Sequence, residues 1–171
     1  MLMSGLEKPT EGSIFFQNQD FSKIDEEQKT EIRKKKIGLI FQQFYLIPNY
    51  TALENVMFPM QINKIRNEEE KANLILSDIG LDHRKNNLPS ELSGGEQQRV
   101  AIARAISFNP EIILADEPTG NLDRKNTELV SNLLLDYSYR KKISLILVTH
   151  NMKLAKKCDR VIKLFDGGVK L

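Results

Sequence analysis

Short apolar runs alternate with longer amphipathic segments along the chain, and a mostly helical stretch separates two regions of this alternation. Short continuous apolar runs are typical of buried strands, whereas apolar positions that recur once per helical turn are typical of helices. The pattern predicts strands over 13–17, 37–41, 111–115, 143–148 and 160–165, helices over 25–34, 51–57, 68–79, 93–106, 126–140 and 151–157, and a turn over 166–168.

Capping signals set several of the helix boundaries. Asp25 followed by Gln28, and Thr51 followed by Glu54, have the spacing of capping boxes. Pro59 is expected to end the helix that begins after Thr51, because the residue before a proline disfavours helical geometry.

The helix over 68–79 carries apolar residues at spacings that favour one buried face. We expect Leu74, Ile75 and Ile79 to lie on that face, with Gly80 directly after the helix end.

Alternating strands and helices favour parallel pairing in an α/β sheet. The middle of the chain departs from this alternation and is predicted to be helical. We therefore expect a single domain over 1–171, with an α/β core formed by 1–42 and 110–171 and an inserted helical subdomain over 43–109.

The composition narrows the class of protein. A chain of 171 residues that is 40% hydrophobic and 28% charged is globular rather than disordered. Its one cysteine, Cys158, cannot form an internal disulfide. No apolar stretch approaches the ~20 residues of a membrane helix, and the first residues lack the features of a signal peptide. A net charge of +2 gives no reason to expect a nucleic-acid partner.

Residues 92–99, Leu-Ser-Gly-Gly-Glu-Gln-Gln-Arg, carry the strongest chemical signal. Two adjacent glycines at a helix start leave backbone N–H groups open to an oxyanion, and the helix dipole adds partial positive charge. A capping box between Ser93 and Glu96 is the simpler interpretation. That interpretation leaves Gly94 and Gly95 unexplained, since each costs up to about 1 kcal/mol relative to alanine in a helix.

Asp116 and Glu117 follow an apolar strand and precede Pro118. Their carboxylates are expected at the carboxyl edge of a parallel sheet, where ligands bind. Because successive strand side chains point in opposite directions, one acid can hold Mg²⁺ while the other orients and deprotonates a water for attack on a phosphoryl group. Taken alone, a turn that ends the strand is the simpler explanation.

Three weaker candidates lie at other strand ends or turns. Gln42 follows the strand over 37–41, and its neutral amide could ligate Mg²⁺ or hold the attacking water. His150 follows another strand and could contact a terminal phosphate, although a surface histidine is the simpler interpretation. Residues 121–123, Asn-Leu-Asp, read by themselves as a turn.

Together these motifs resemble one family, the ATP-binding cassette (ABC) ATPases that drive transporters. Residues 92–99 resemble the signature sequence of that family, 112–117 its Walker B motif and 121–123 its D-loop, and Gln42 and His150 match its Q-loop glutamine and switch histidine. The resemblance covers the whole chain. It implies a P-loop NTPase-like α/β core with an inserted helical subdomain, and two cassettes that face head-to-tail with ATP between them.

The resemblance places part of the ATP site on the opposite subunit. It implies that Ser93, Gly94, Gly95 and Gln97 bind the nucleotide held by that subunit, with the first three on its phosphates. It also implies that Asp123 couples the two sites across the dimer.

The resemblance assigns the remaining roles at the strand ends. Asp116 would organise Mg²⁺, usually through water, and Glu117 would be the catalytic base. His150 would contact the γ-phosphate. Gln42 would link Mg²⁺ and the attacking water to the membrane partner. The expected chemistry is phosphoryl transfer that depends on positioning and electrostatics.

Segments 44–48, 51–56 and 114–123 resemble the ATPases of lipoprotein-releasing systems and macrolide exporters, which pair with separate membrane permeases. Residues 41–48 would then help to form a groove for a cytoplasmic helix of the permease. Local core packing after the strand explains these side chains equally well. The resemblance implies no nucleic-acid partner and a cytoplasmic location at the inner face of the membrane. The transported substrate is not indicated, because the permease selects it.

One element of the family is missing from these residues. A phosphate-binding loop reads G-x-x-x-x-G-K-[ST], and none of the 9 glycines precedes a lysine. We expect the chain to begin just after that loop, to leave a sheet edge or apolar surface uncovered, to bind ATP poorly and not to hydrolyse it alone. A non-catalytic fragment or interaction module with the same fold is the alternative.

Overall fold

The computed structural model describes residues 1–165 and 168–170. Its elements are β1 (Phe15–Phe16), β2 (Gln19–Asp20), α1 (Glu26–Lys36), β3 (Ile37–Phe41), α2 (Ala52–Ile62), α3 (Glu68–Asp78), α4 (Gly94–Ile106), β4 (Ile112–Asp116), α5 (Arg124–Lys141), β5 (Ser144–Val148), α6 (Met152–Ala155), β6 (Lys163–Phe165) and β7 (Gly168–Lys170). Asp166 and Gly167 of the predicted turn lie outside the described residues.

A parallel sheet carries the strands after which the candidate residues Gln42, Asp116 and His150 are predicted to lie. Within the described chain, β3, β4 and β5 form one sheet with β4 in the middle. The register pairs Ile37 with Ile112 and Ile112 with Ser144, so the three strands begin and end at the same level. The predicted parallel α/β pairing is confirmed. Short antiparallel pairs, β1 with β2 and β6 with β7, lie outside this sheet.

Helix α4 is central to the core because it packs against β3, α2 and α5. Val100 and Ile102 of α4 are fully buried, as is Ile113 of the neighbouring strand β4. Burial of such side chains is the main favourable contribution to folding. The same packing fixes the start of α4 relative to the ends of the strands.

The predicted helix starts at Asp25, Thr51 and Ser93 are confirmed. Each is an N-cap whose side chain accepts a hydrogen bond from the backbone N–H three residues on. Each also forms a reciprocal capping box, because the side chain at that third position accepts from the N-cap backbone N–H.

The predicted end of α2 before Pro59 is wrong, because Pro59 lies inside the helix and α2 continues to Ile62. Val56 and Met60, one turn apart, are both fully buried, so their burial favours continuing the helix past the proline. The Asn63 side chain donates a hydrogen bond to the Pro59 carbonyl at 2.9 Å. Tertiary packing therefore outweighs the local cost of the proline.

The predicted buried position of Leu74 is also wrong, because its side chain is 64% exposed. The buried face of α3 carries Ala72 and Leu76, and it packs against α2. Leu74 lies two residues from both and therefore points away from them. Ile79 is buried as expected.

The strand predicted over 13–17 is reduced to the two residues of β1, which pair with the unpredicted β2.

Between residues 43 and 109, every element is a helix. The division of the chain into a core and a helical subdomain stays a prediction. Among the described residues, no helix combines the length and the apolar character needed to cross a bilayer.

Candidate functional site

The residues singled out at the strand ends lie along one edge of the sheet. Phe41 and Val148 are both register partners of Asp116. Gln42 and Glu117 follow directly after Phe41 and Asp116. The parallel register therefore brings together side chains that are far apart in sequence, at the carboxyl edge where ligands bind in α/β folds.

The Glu117 carboxylate is held by the segment that follows β5. It accepts hydrogen bonds from the His150 backbone N–H at 2.7 Å and from the Thr149 hydroxyl at 3.3 Å. The His150 Nε2 atom lies 3.5 Å from the same carboxylate, and the imidazole is fully exposed. Glu117 has a φ of +45°, an uncommon conformation for a side chain with a Cβ. Such backbone strain is concentrated at functional sites.

Asp116 presents an exposed carboxylate at the same edge. With the side-chain oxygen of Gln42, it offers the hard oxygen ligands that Mg²⁺ prefers. The described residues contain no group of three or more His, Cys, Asp and Glu side chains that could hold a metal by themselves. This donor set fits Mg²⁺, which usually takes one or two carboxylates and fills its remaining positions with water and substrate phosphates.

Gln42 and Asn121 form a reciprocal amide pair. The Gln42 Nε2 group donates to Asn121 Oδ1 at 2.9 Å, and the Asn121 Nδ2 group donates to the Gln42 carbonyl at 3.2 Å. The pair joins the end of β3 to the turn after β4. Gln42 therefore has a defined orientation at the site edge.

The start of α4 carries the predicted capping box. The Ser93 hydroxyl donates to the Glu96 carboxylate at 2.7 Å, and the Ser93 backbone N–H donates to the same oxygen at 2.8 Å. The Ser93 hydroxyl contributes most to lowering the pKa of Glu96, and the backbone N–H and Arg84 lower it further. The simpler interpretation of Ser93 and Glu96 is thus present in the structure.

Backbone N–H groups remain available beyond this cap. The first intrahelical hydrogen bond runs from the Gln97 N–H to the Ser93 carbonyl at 2.8 Å. The amides of Gly94 and Gly95 precede it, and such N–H groups have no partner within a helix. The Gln97 side chain donates to the Leu92 carbonyl at 3.0 Å, so it stabilises the turn into α4.

The two glycines have different surroundings. A Cβ on Gly95 would lie 2.3 Å from Oδ1 of Asn126, so a side chain at this position would displace the Asn126 amide. A Cβ on Gly94 would lie 3.6 Å from the Phe44 ring, which is ordinary contact. Packing explains why a glycine is present at 95, but no close contact explains the glycine at 94. Binding of an anion to the backbone N–H groups at the helix start would explain it.

Asp123 is the N-cap of α5. Its carboxylate accepts from the Asn126 backbone N–H at 2.9 Å and from the Asn126 side chain at 2.5 Å. The backbone hydrogen bond is the largest cause that lowers the pKa of Asp123. Asp123 and Gly95 therefore contact the same residue.

Sequence reasoning missed Gly120 and Asn126 as parts of the site, and it placed Asn121 in the motif over 121–123 without a contact to Gln42. Gly120 and Asn121 have the composition of any turn. Asn126, three residues after Asp123, had a weak capping signal but no signal for a contact with α4. Their partners, Gln42 and Gly95, are distant in sequence.

The parallel sheet with acids at its carboxyl edge, next to a helix opened by glycines, defines an α/β protein with a ligand site at that edge. The family model described as ABC transporter matches residues 1–120, and the chain belongs to that family. The resemblance inferred from the motifs is confirmed.

Solved structures agree with this family. MJ0796, described as a bacterial ABC transporter cassette in a dimeric structure, matches with a TM-score of 0.89 and 42% identity, over 99% of this chain and 76% of that chain. A dimeric post-hydrolysis state of MJ0796 bound to ADP and Pi matches with a TM-score of 0.88 and the same identity and coverage. The fold is therefore that of an ABC ATPase cassette.

Proposed function

We propose that the chain is the ATP-binding and ATP-hydrolysing subunit of a transporter that powers a separate membrane permease. The observation that carries this proposal is the shared sheet edge, where the register places Asp116 beside the ends of β3 and β5. In-line phosphoryl transfer needs a positioned base and stabilisation of phosphate charge, and this edge supplies groups for both.

Glu117 is the proposed general base. The His150 N–H and the Thr149 hydroxyl hold its carboxylate, so the carboxylate is oriented before a water arrives. The exposed His150 imidazole is free to reach a γ-phosphate.

Asp116 and the Gln42 side-chain oxygen are the proposed protein ligands of Mg²⁺. When bound, the ion neutralises developing charge on the phosphate oxygens. The ligands that hold it lie on β4 and directly after β3, so the sheet fixes their separation.

A head-to-tail dimer is the proposed active assembly, and the dimeric structures of MJ0796 support it. Ser93, Gly94, Gly95 and Gln97 would face the nucleotide of the other subunit. Ser93 would have to release Glu96 in order to donate to a phosphate. Asp123 would lie near the subunit boundary, because it contacts Asn126 beside Gly95.

The permease is proposed to dock at a cavity of about 490 Å³ beside β3. Phe41 and Ile47, from the aromatic and apolar segment predicted for this role, line it together with Phe58 of α2. The cavity is lined mainly by apolar side chains, as a groove for an amphipathic helix would be. We propose a permease of the lipoprotein-releasing or macrolide-exporting type, which would hold the chain at the cytoplasmic face of the membrane.

A non-catalytic module is the second candidate. It is favoured by the lack of a G-x-x-x-x-G-K-[ST] motif among the 171 residues, since that loop supplies N–H groups and a lysine to the phosphates. On this basis we expect the purified 171-residue chain to release no phosphate from ATP by itself.

The test compares the affinity-tagged chain, purified from its own cells with the membrane proteins that it binds, with the chain alone. We expect Mg²⁺-dependent ATP hydrolysis in the complex and a loss of about 10²-fold or more with Glu117→Gln. Glu128→Gln is the matched control, because Glu128 is exposed on α5. A complex that hydrolyses ATP no faster than its Glu117→Gln variant would favour the non-catalytic module. Hydrolysis by the chain alone, abolished by Glu117→Gln, would refute the expected inactivity.

A further inference from the structure

We propose that Asn121 is a positioning residue that fixes which atom of the Gln42 amide is free for a cation, and that Gly120 provides the space for this arrangement. The inference rests on the proposed function, in which the Gln42 side-chain oxygen ligates Mg²⁺. It concerns the chain's own turn after β4.

The backbone carbonyl of Gln42 removes the ambiguity between oxygen and nitrogen in both side chains. A carbonyl can only accept, so the Asn121 group 3.2 Å from it must be the NH₂. The other end of the Asn121 amide is therefore oxygen. The Gln42 group 2.9 Å from that oxygen must in turn be an NH₂. Reversing either amide would place two donors or two acceptors face to face.

The Gln42 oxygen is consequently the free end of its amide. Among residues 1–165 and 168–170, no hydrogen bond engages that oxygen. Hard cations take oxygen ligands and are repelled by N–H donors. Asn121 thus selects the presentation of Gln42 that can serve Mg²⁺.

Gly120 allows the Gln42 side chain to lie across the turn. A Cβ on Gly120 would lie 2.8 Å from Nε2 and 3.0 Å from Cδ of Gln42. The turn cannot easily move aside, because the Gly120 N–H donates to the Glu117 carbonyl at 3.0 Å. A side chain at 120 would therefore push Gln42 away from Asn121.

The end of β3 is held from a second direction. The fully buried Gln98 of α4 donates to the Phe41 carbonyl at 3.4 Å. Two consecutive carbonyls, those of Phe41 and Gln42, therefore accept from side-chain amides. The backbone beneath the Gln42 side chain is anchored while Asn121 orients the amide itself.

The test uses the ¹⁵N-labelled full chain and Mn²⁺ alone as a paramagnetic probe, with NMR signals of the Asp116 backbone amide and the Gln42 side-chain NH₂ as readouts. In the unmodified chain we expect Mn²⁺ to broaden both signals. Asn121→Ala should weaken the Mn²⁺ affinity read at Gln42 by about tenfold, the order expected for loss of a group that orients a ligand. Gly120→Ala should act in the same direction without removing Asn121. Asn132→Ala, at an exposed position on α5, is the matched control and should change nothing.

A double-variant comparison separates positioning from a structural effect. In a Gln42→Ala background, we expect Asn121→Ala to cause no further loss of Mn²⁺ affinity at Asp116. A further loss there, or unchanged Gln42 broadening in Asn121→Ala and Gly120→Ala, would overturn the proposed positioning while leaving the cation site standing. An absence of broadening at both Asp116 and Gln42 in the unmodified chain would instead reject the cation site of the proposed function, and this inference with it.

Discussion

Gly95 lies so close to Asn126 that the two residues constrain each other. Rotating the Asn126 side chain away would break its hydrogen bond to Asp123. Gly94, one residue earlier, has room for a methyl group. The two adjacent glycines of this motif therefore tolerate a side chain to different degrees. Only their surroundings in the folded chain reveal this difference.

This difference predicts unequal effects of alanine at the two positions. We expect Gly95→Ala to lower the free energy of unfolding by about 1–3 kcal/mol through overpacking against Asn126. Gly94→Ala should be neutral or slightly stabilising, because alanine favours the helix. Urea unfolding followed by circular dichroism measures both. In an Asn126→Ala background the cost of Gly95→Ala should fall, and equal costs in both backgrounds would contradict the contact.

Helix α4 also organises the segment that follows β3. The Arg104 guanidinium donates to the carbonyls of Phe44 and Tyr45, at 3.0 and 2.5 Å. Burial lowers the pKa of Arg104, so these hydrogen bonds compensate a partly desolvated charge. The Tyr45 ring also meets Phe41 edge-on at 5.3 Å. One side chain of α4 therefore holds the segment that is proposed to meet the permease.

Arg104→Lys tests this link between elements. A lysine keeps the charge but cannot present a planar fork to two carbonyls. We expect the free energy of unfolding to fall by about 1–3 kcal/mol. The backbone amides of 44–48 should also exchange with deuterium faster than in the unmodified chain. Arg66→Lys, at an exposed position before α3, serves as the control. Unchanged exchange in 44–48 would show that Arg104 does not hold the segment.

Element boundaries followed from local sequence at Asp25 and Ser93, where a capping residue determined them. At Asp123 the cap was overlooked, so α5 begins two residues before its predicted start. Boundaries did not follow where long-range packing opposed the local signal, as at Pro59 inside α2. Leu74 shows the same limit, because the apolar pattern of α3 did not reveal which apolar residues would meet α2. Local preferences are small compared with the burial of a large side chain.

At the scale of the whole molecule, a polar cluster joins α3 to α5. The Tyr137 hydroxyl donates to the Asp78 carboxylate at 2.5 Å, and Arg140 pairs with the same carboxylate at 3.3 Å. The Tyr137 hydrogen bond is the largest cause that lowers the pKa of Asp78. Burial and Asp78 in turn raise the pKa of Tyr137 above its usual value. This cluster connects the predicted helical subdomain with a helix of the predicted core.

The lowered pKa of Asp78 makes this connection dependent on pH. Asp78 ionises more readily in the folded chain, so it stabilises the fold above its ordinary pKa of 3.8. That stabilisation is lost as the pH falls through the lowered, folded-state pKa. We expect Tyr137→Phe to reduce stability at neutral pH and the difference to shrink under acidic conditions. Urea unfolding at a series of pH values measures it. Tyr139→Phe is the control, since Tyr139 is 86% exposed, and a difference that does not depend on pH would refute the role of Asp78.

The sequence by itself determined the alternation of strands and helices, the capped helix starts and the family, because these depend on residue types at short spacing. It also indicated the acids, Gln42 and His150 as a set. Only the tertiary structure decided that Asn121 is hydrogen-bonded to Gln42, that Asn126 lies against Gly95, and that Glu117 is held by the segment after β5. Each of these contacts joins residues from different elements. Their distances are set by the parallel register and by the packing of α4, which no local pattern encodes.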